Sequence, residues 1–245
     1  VGLYDDIPAG YYLERMRKGP AVQRFFHTQE LAKISSGIPD NPRITLLDMG
    51  CGPGSFFFQH RKRGRKIGMD IAPDQILYAR RLMPRNTWIC ADIEKAPLPK
   101  ADYIILSEVL EHLSPKTRIL QRARDALRKN GRLIITTPNY ASAWPLIERL
   151  WELVSTVKYK HQHINPQTPA RLKRLAQAAG LRLVELRTIF PFTLLLACVS
   201  ERLARKALPI EDKFFRRLGL IIFAVFEKAP RTTRLKYEAK RTRQI

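Results

Sequence analysis

A chain of 245 residues, 45% hydrophobic and 9% aromatic, is long enough for one α/β domain and apolar enough to bury a core. Forty-four Lys and Arg against 22 Asp and Glu leave a formal charge of +22, a field that favours nucleic acid or an anionic membrane surface as partner. Three scattered cysteines and no apolar run near the ~18–20 residues that span a bilayer exclude a disulfide scaffold and a multi-span membrane protein, and no leader pattern opens the chain, so a cytoplasmic location is expected.

Residues 21–36 read as a helix stopped by Gly37-Ile38-Pro39. Residues 44–49, 66–70, 87–90, 102–106 and 131–136 are short apolar blocks, each read as a strand. Helices separate them, one starting near Ser55 and one over residues 114–130 that stops at the left-handed pair Asn130-Gly131. Apolar blocks alternating with helices predict a doubly wound α/β fold, a parallel sheet covered on both faces. Further on, residues 142–157 and 168–179 are expected to be helical, with strands over 181–190 and 218–227. The division expected is a helical extension over 1–40, the α/β domain over 41–229 with a helical insertion at about 191–217, and a poorly ordered basic tail over 230–245.

The informative stretch is Leu46-Leu47-Asp48-Met49-Gly50-Cys51-Gly52-Pro53-Gly54-Ser55. A strand feeds glycines and then a helix, so the backbone can turn tightly and meet a ligand closely. Asp70, ending the second strand twenty residues after Gly50, can accept hydrogen bonds from both hydroxyls of a ribose. The glycines run G-x-G-x-G rather than the dinucleotide G-x-G-x-x-G. Asp48 would repel a pyrophosphate and attract an ammonium or sulfonium, and Asp92 after the third strand can meet the amine of an adenine. This set suits S-adenosylmethionine.

Residues 46–54, Gly68-Met69-Asp70, Ala91-Asp92-Ile93, Ser107-Glu108-Val109-Leu110-Glu111-His112-Leu113 and residues 131–139 together resemble a class I S-adenosylmethionine-dependent methyltransferase. The group most resembled includes the ubiquinone-biosynthesis O-methyltransferases. The resemblance implies a mostly parallel seven-stranded sheet with an antiparallel last strand. It also implies that Gly50 and Gly52 pass the methionine part of the cofactor, Asp48 its amino group, Asp70 the ribose and Asp92 the adenine, with Ser107 along its edge.

The acceptor is less clearly written. The Asn/Asp-Pro-Pro-aromatic turn of nucleic-acid amino-methyltransferases is absent after the fourth strand, so a small or lipid-like acceptor, methylated at oxygen, is the expectation. An RNA methyltransferase and a non-catalytic methyltransferase-like subunit are the alternatives. His163, and less so His161, fall on the ligand side of the sheet, where an imidazole can take a proton from a hydroxyl. Glu108, Glu111 and His112 would share a face if helical and could hold a divalent ion, yet they equally suit helix packing, and no metal is assigned. The insertion mixes Phe192, Leu194, Leu195, Leu196, Val199, Leu203, Phe214 and Phe215 with Arg202, Arg205, Lys206, Arg216 and Arg217. That pattern fits a lid over the site or a peripheral contact with the anionic inner face of a membrane. Oligomeric state is not assigned.

Overall fold

The computed structural model describes residues 7–114, 118–154 and 163–230, the side chains of 151–154 excepted. Seven strands form one sheet in the order β3-β2-β1-β4-β5-β7-β6. They are β1 (Thr45–Met49), β2 (Arg65–Asp70), β3 (Thr87–Cys90), β4 (Ala101–Ser107), β5 (Leu127–Pro138), β6 (Leu181–Ile189) and β7 (Ile221–Lys228). The first five pair in parallel, while β7 lies between β5 and β6 and is antiparallel to both. The expected antiparallel last strand is therefore present and is inserted one place inside the edge. Strand order reverses between β1 and β4, and ligands of open α/β sheets bind at the carboxyl ends on either side of such a reversal.

The helices are α1 (Tyr11–Lys18), α2 (Ala21–Ser36), α3 (Ser55–Gln59), α4 (Pro73–Leu82), α5 (Ile119–Ala126), α6 (Trp144–Val154), α7 (Pro169–Ala178), α8 (Thr193–Val199) and α9 (Glu201–Phe214). Side chains alternate across each strand, so each strand feeds two cores. Leu47, Ile104, Leu106, Leu133 and Ile135 meet Ile119, Ala123, Leu172 and Ala176 of α5 and α7 on one face. On the other, Leu46, Ile105 and Ile134 meet Leu13, Phe25, Ile34, Ile76, Ala197 and Ala204 of α1, α2, α4, α8 and α9. The same alternation aims Asp48, Ser107 and Thr136, two residues beyond Leu46, Ile105 and Ile134, at the α2 face.

One boundary differs from expectation. The helix read over 114–130 ends at Ala126, and Leu127 already pairs with Ala101 of β4. Asn130 is left-handed, with φ +63°, but it bends the start of β5 rather than ending a helix. The helical insertion holds two helices, separated where Ser200 leaves helical geometry and caps α9 by accepting the Leu203 N–H. Residues 231–245, most of the expected tail, lie outside the described residues.

Candidate active site

After Met49 the chain turns through Gly50 and Gly52, with φ +77° and +50°, left-handed conformations that disfavour any residue carrying a Cβ. A Cβ on Gly50 would stand 2.6 Å from Val109, so packing against the chain beyond β4 also demands glycine there. A Cβ on Gly52 would meet nothing within 4 Å, which leaves its backbone open to a ligand. The Gly50 and Cys51 N–H groups donate to the Met69 carbonyl at 2.8 and 3.0 Å. Asp70 accepts from the Gly52 and Ala72 N–H groups at 2.7 and 2.9 Å, strapping the turn to the end of β2.

Three acids stand at the strand ends, in three environments. Asp48 is 3% exposed, and burial, reinforced by the charge of Asp70, pushes its carboxyl up to about 8. An acid that resists ionisation alone is a receptor for a cation, because the cation stabilises the charged form. Burial also raises Asp70, against the pull of its backbone hydrogen bonds. Burial works to raise Asp92 too, but the Glu94 N–H at 2.8 Å and the Lys95 ammonium at 3.0 Å outweigh it and hold the carboxyl low. The open glycine, the buried acid and the partly buried Asp70 carboxylate fit S-adenosylmethionine in shape and charge.

Beyond β4 the site is built from longer-range contacts. Ser107 Oγ and Thr136 Oγ1 lie 3.1 and 2.5 Å from Glu30 Oε1, and 3.0 Å from each other. Glu30 comes from α2, is 1% exposed, and is raised to about 7 by burial, with Glu111 adding repulsion. Glu108 adopts a left-handed φ of +53° and faces Glu30, and burial followed by the Glu30 charge raises it well above the ordinary carboxylate range. The segment after β4 is a 3-10 turn, Leu110–His112, not an α-helix. Glu108, Glu111 and His112 consequently do not share one face as the spacing suggested.

Glu111 turns instead toward the histidines. Its Oε2 accepts from Thr137 Oγ1 at 2.8 Å, while its Oε1 is buried without a hydrogen-bond partner and stands 3.9 Å from His112 Nε2. The Asn165 N–H and side-chain amide donate to the carbonyls of Glu111 and Leu110 at 2.9 and 3.1 Å, which brings His163 beside His112, ring centroids 4.9 Å apart. His163 Nδ1 lies 2.5 Å from Glu148 Oε1 of α6, and the Tyr140 hydroxyl donates to the same carboxylate at 3.0 and 3.1 Å. Burial works to raise Glu148, but His163 and Tyr140 outweigh it and hold it ionised. A carboxylate on Nδ1 puts the ring proton there and the basic lone pair on Nε2. Glu111, His112 and His163 each bring one metal-capable atom, all within 4.8 Å of one another. His161 lies outside the described residues.

The sequence-predicted residues thus fall into two groups. Asp48, Gly50, Gly52 and Asp70 gather around the glycine turn, with Asp92 at the end of β3 and Ser107 at the end of β4. His163 stands apart, beside His112 and Glu111. Sequence reasoning missed Glu30, Thr136, Tyr140 and Glu148. Glu30 did leave a signal: it is the one acid of α2 and shares the i, i+4 stripe of Phe26 and Ile34.

Sheet order, glycine turn and strand-end acids define a doubly wound domain made to hold a nucleoside with a cationic head. A solved S-adenosylmethionine-dependent methyltransferase from Archaeoglobus fulgidus shares this fold, with a TM-score of 0.59 and 21% identity over 89% of this chain and 99% of that one. A family model described as a methyltransferase domain matches residues 14–186, and the chain belongs to that family, whose cofactor is S-adenosylmethionine. It is 30% identical to the malonyl-[acyl-carrier protein] O-methyltransferase of Serratia marcescens over 154 residues, 61% of this chain and 58% of the relative. To the ubiquinone biosynthesis O-methyltransferase of Aeromonas salmonicida it is 27% identical over 147 residues, 56% of this chain and 62% of the relative. The chain spans less than two thirds of the length of either.

Proposed function

We propose that this chain methylates an oxygen of a small or lipid-like acceptor, using S-adenosylmethionine as donor and His163 as the group that takes the acceptor's proton. One observation carries the reading: on the ligand side of the sheet, Glu148 holds His163 by its Nδ1, and the ring stands beside His112 and Glu111 in the turn that follows β4. The bound donor supplies an electrophilic methyl on a sulfonium, so displacement depends on holding the acceptor in line. Asp48 accepts the ammonium of the donor, Asp70 its ribose hydroxyls and Asp92 its adenine amine, while Gly50 and Gly52 let the methionine part pass. His163 Nε2 receives the hydroxyl proton as the new bond forms, and Glu148 stabilises the resulting imidazolium. His161, two residues away, is the second candidate for the same step.

The two relatives are O-methyltransferases by name, which agrees with an oxygen acceptor. A net charge of +22 agrees with an acceptor taken from an anionic inner membrane face, visited peripherally, since no helix among the described residues is long and apolar enough to cross a bilayer. The test is to incubate the protein with methyl-labelled donor and separate lipid, small-molecule and RNA extracts. Label in the lipid or small-molecule fraction, released by base as methanol from an ester or identified by NMR as the methoxy group of an ether, supports oxygen transfer, whereas methyl on nitrogen or carbon overturns it. Label confined to RNA overturns it.

A second reading has its own observation, the convergence of Glu111, His112 and His163 with a buried carboxylate oxygen left unpartnered. These residues would hold a divalent ion, which would polarise the acceptor oxygen, and Glu148 would orient His163 from behind. Loss of turnover on chelation, restored by a divalent ion, favours this reading over the simple base.

A further inference from the structure

Helices α8 and α9 have two unlike sides. The inner side is fastened to α2 and to itself. Arg24 pairs with Glu201 at 3.0 Å near one end of α9, and Lys33 pairs with Asp212 near the other. Glu211, 1% exposed, accepts from the Phe192 and Thr193 N–H groups at 3.2 and 2.7 Å and so ties the last turn of α9 to the first of α8. A cover held at both ends is a wall rather than a lid.

The outer side carries apolar and cationic side chains interleaved. Leu195, Val199, Leu203, Ile210 and Phe214 are 64, 85, 53, 56 and 67% exposed. On α9 the positions 203, 206, 210, 213 and 214 follow the three- and four-residue steps of one helical face, so Lys206 and Lys213 sit between Leu203, Ile210 and Phe214. Arg202 and Arg217 are exposed alongside. Singly exposed aliphatic residues are ordinary, but a contiguous row of them marks a contact surface. The acids of residues 191–217 are Glu201, Glu211 and Asp212, and each is engaged inward by the contacts above, Glu201 also by Arg205. The face therefore presents cations and hydrocarbon without a compensating acid.

We propose that this face of α8 and α9 docks on an anionic lipid bilayer, with Leu203, Ile210 and Phe214 entering the headgroup boundary and Arg202, Lys206, Lys213 and Arg217 meeting lipid phosphates. The proposal deepens the lipid-side reading above and rests on it only for where the acceptor comes from, because docking requires neither donor nor acceptor. Charge decides against other occupants. A second copy of the same face would set lysines against lysines. Single-stranded RNA would meet its charge but not its aliphatic row, and the exposed rings are already engaged, Phe214 under the Lys213 ammonium and Phe215 edge-on against Phe192. Hydrocarbon beside phosphate is the chemistry of a membrane surface.

The test is co-sedimentation of the full chain with vesicles of phosphatidylglycerol and phosphatidylcholine, read against pure phosphatidylcholine. Binding is expected with the anionic vesicles only, falling as salt rises. Ile210→Ser with Phe214→Ser should lower partitioning roughly tenfold or more. Lys206→Gln and Lys213→Gln should each lower it roughly fivefold. Calorimetric donor binding should be unchanged in every variant, which separates failure of docking from failure of the methyltransferase reading. The proposal is overturned if the protein ignores anionic vesicles at low salt. It is equally overturned if the apolar pair binds vesicles as the parent does while RNA competes it off, or if the pair dissolves a dimer instead.

Discussion

The two halves of the proposed site are made in different ways. The donor half is backbone and strand ends: a turn of glycines, one buried acid, and a carboxylate strapped to the turn it serves. Its parts come from β1 and β2 with one residue each from β3 and β4, within sixty residues of chain. The half proposed for the acceptor is side chains gathered from α2, the turn after β4, the end of β5, α6 and the loop before α7. A donor shared by a whole family can be met by a fixed backbone.

The comparison breaks most visibly if His163→Ala fails to separate the halves. That variant should lower turnover roughly 10²–10⁴-fold and leave donor affinity, measured by calorimetry, where it was. Loss of donor affinity would show that the halves are one site. The reciprocal variant is Asp70→Ala, which removes a charged acceptor of ribose and of the Gly52 N–H. A loss of about 2–3 kcal/mol, roughly 30–150-fold in donor affinity, is expected.

Asp48 sharpens the contrast through pH. Its folded-state value of about 8 lies above the ordinary 3.8, so the stability tied to its neutral form is complete below about pH 4 and is lost as pH rises through 8. Asp48→Asn, always neutral, should melt above the parent at pH 8.5, by roughly 2–4 °C for each kcal/mol spared, and match it more closely at pH 5. Adding donor should reverse the order, since only the parent gains an ammonium partner. The smallest effect is expected at Glu30. Its value of about 7 places a titration inside the working range, and Glu30→Gln should remove an inflection near pH 7 from the turnover profile without altering donor affinity.

The sheet and the donor half were legible because they follow local rules. Apolar blocks separated by helices mark parallel strands, and Asp48, Gly50, Gly52 and Asp70 keep spacings that one turn imposes. The inner position of β7 was not legible, since a strand's neighbour depends on a crossover of 31 residues between β6 and β7 and not on its own composition. Asn130-Gly131 misled for a related reason: a left-handed pair bends the backbone wherever it stands, and here a strand register was already set by Leu127. His163 could be placed on the ligand side from sequence. Its partner Glu148 could not, because the pairing joins α6 to a loop across fifteen positions and no periodicity relates them.

Helix α2 touches both surfaces that matter. From one flank Glu30 reaches Ser107 and Thr136, and from the others Arg24 and Lys33 hold the two ends of α9. Force applied to the outer helices has a route along one helix to the Glu30 carboxylate, with no strand in between. If the outer face docks as proposed, surface contact would be linked to the proposed acceptor side through α2. Anionic vesicles should accordingly change turnover on a water-soluble acceptor, and cutting the link with Arg24→Ala and Lys33→Ala should leave vesicle binding in place while that change disappears.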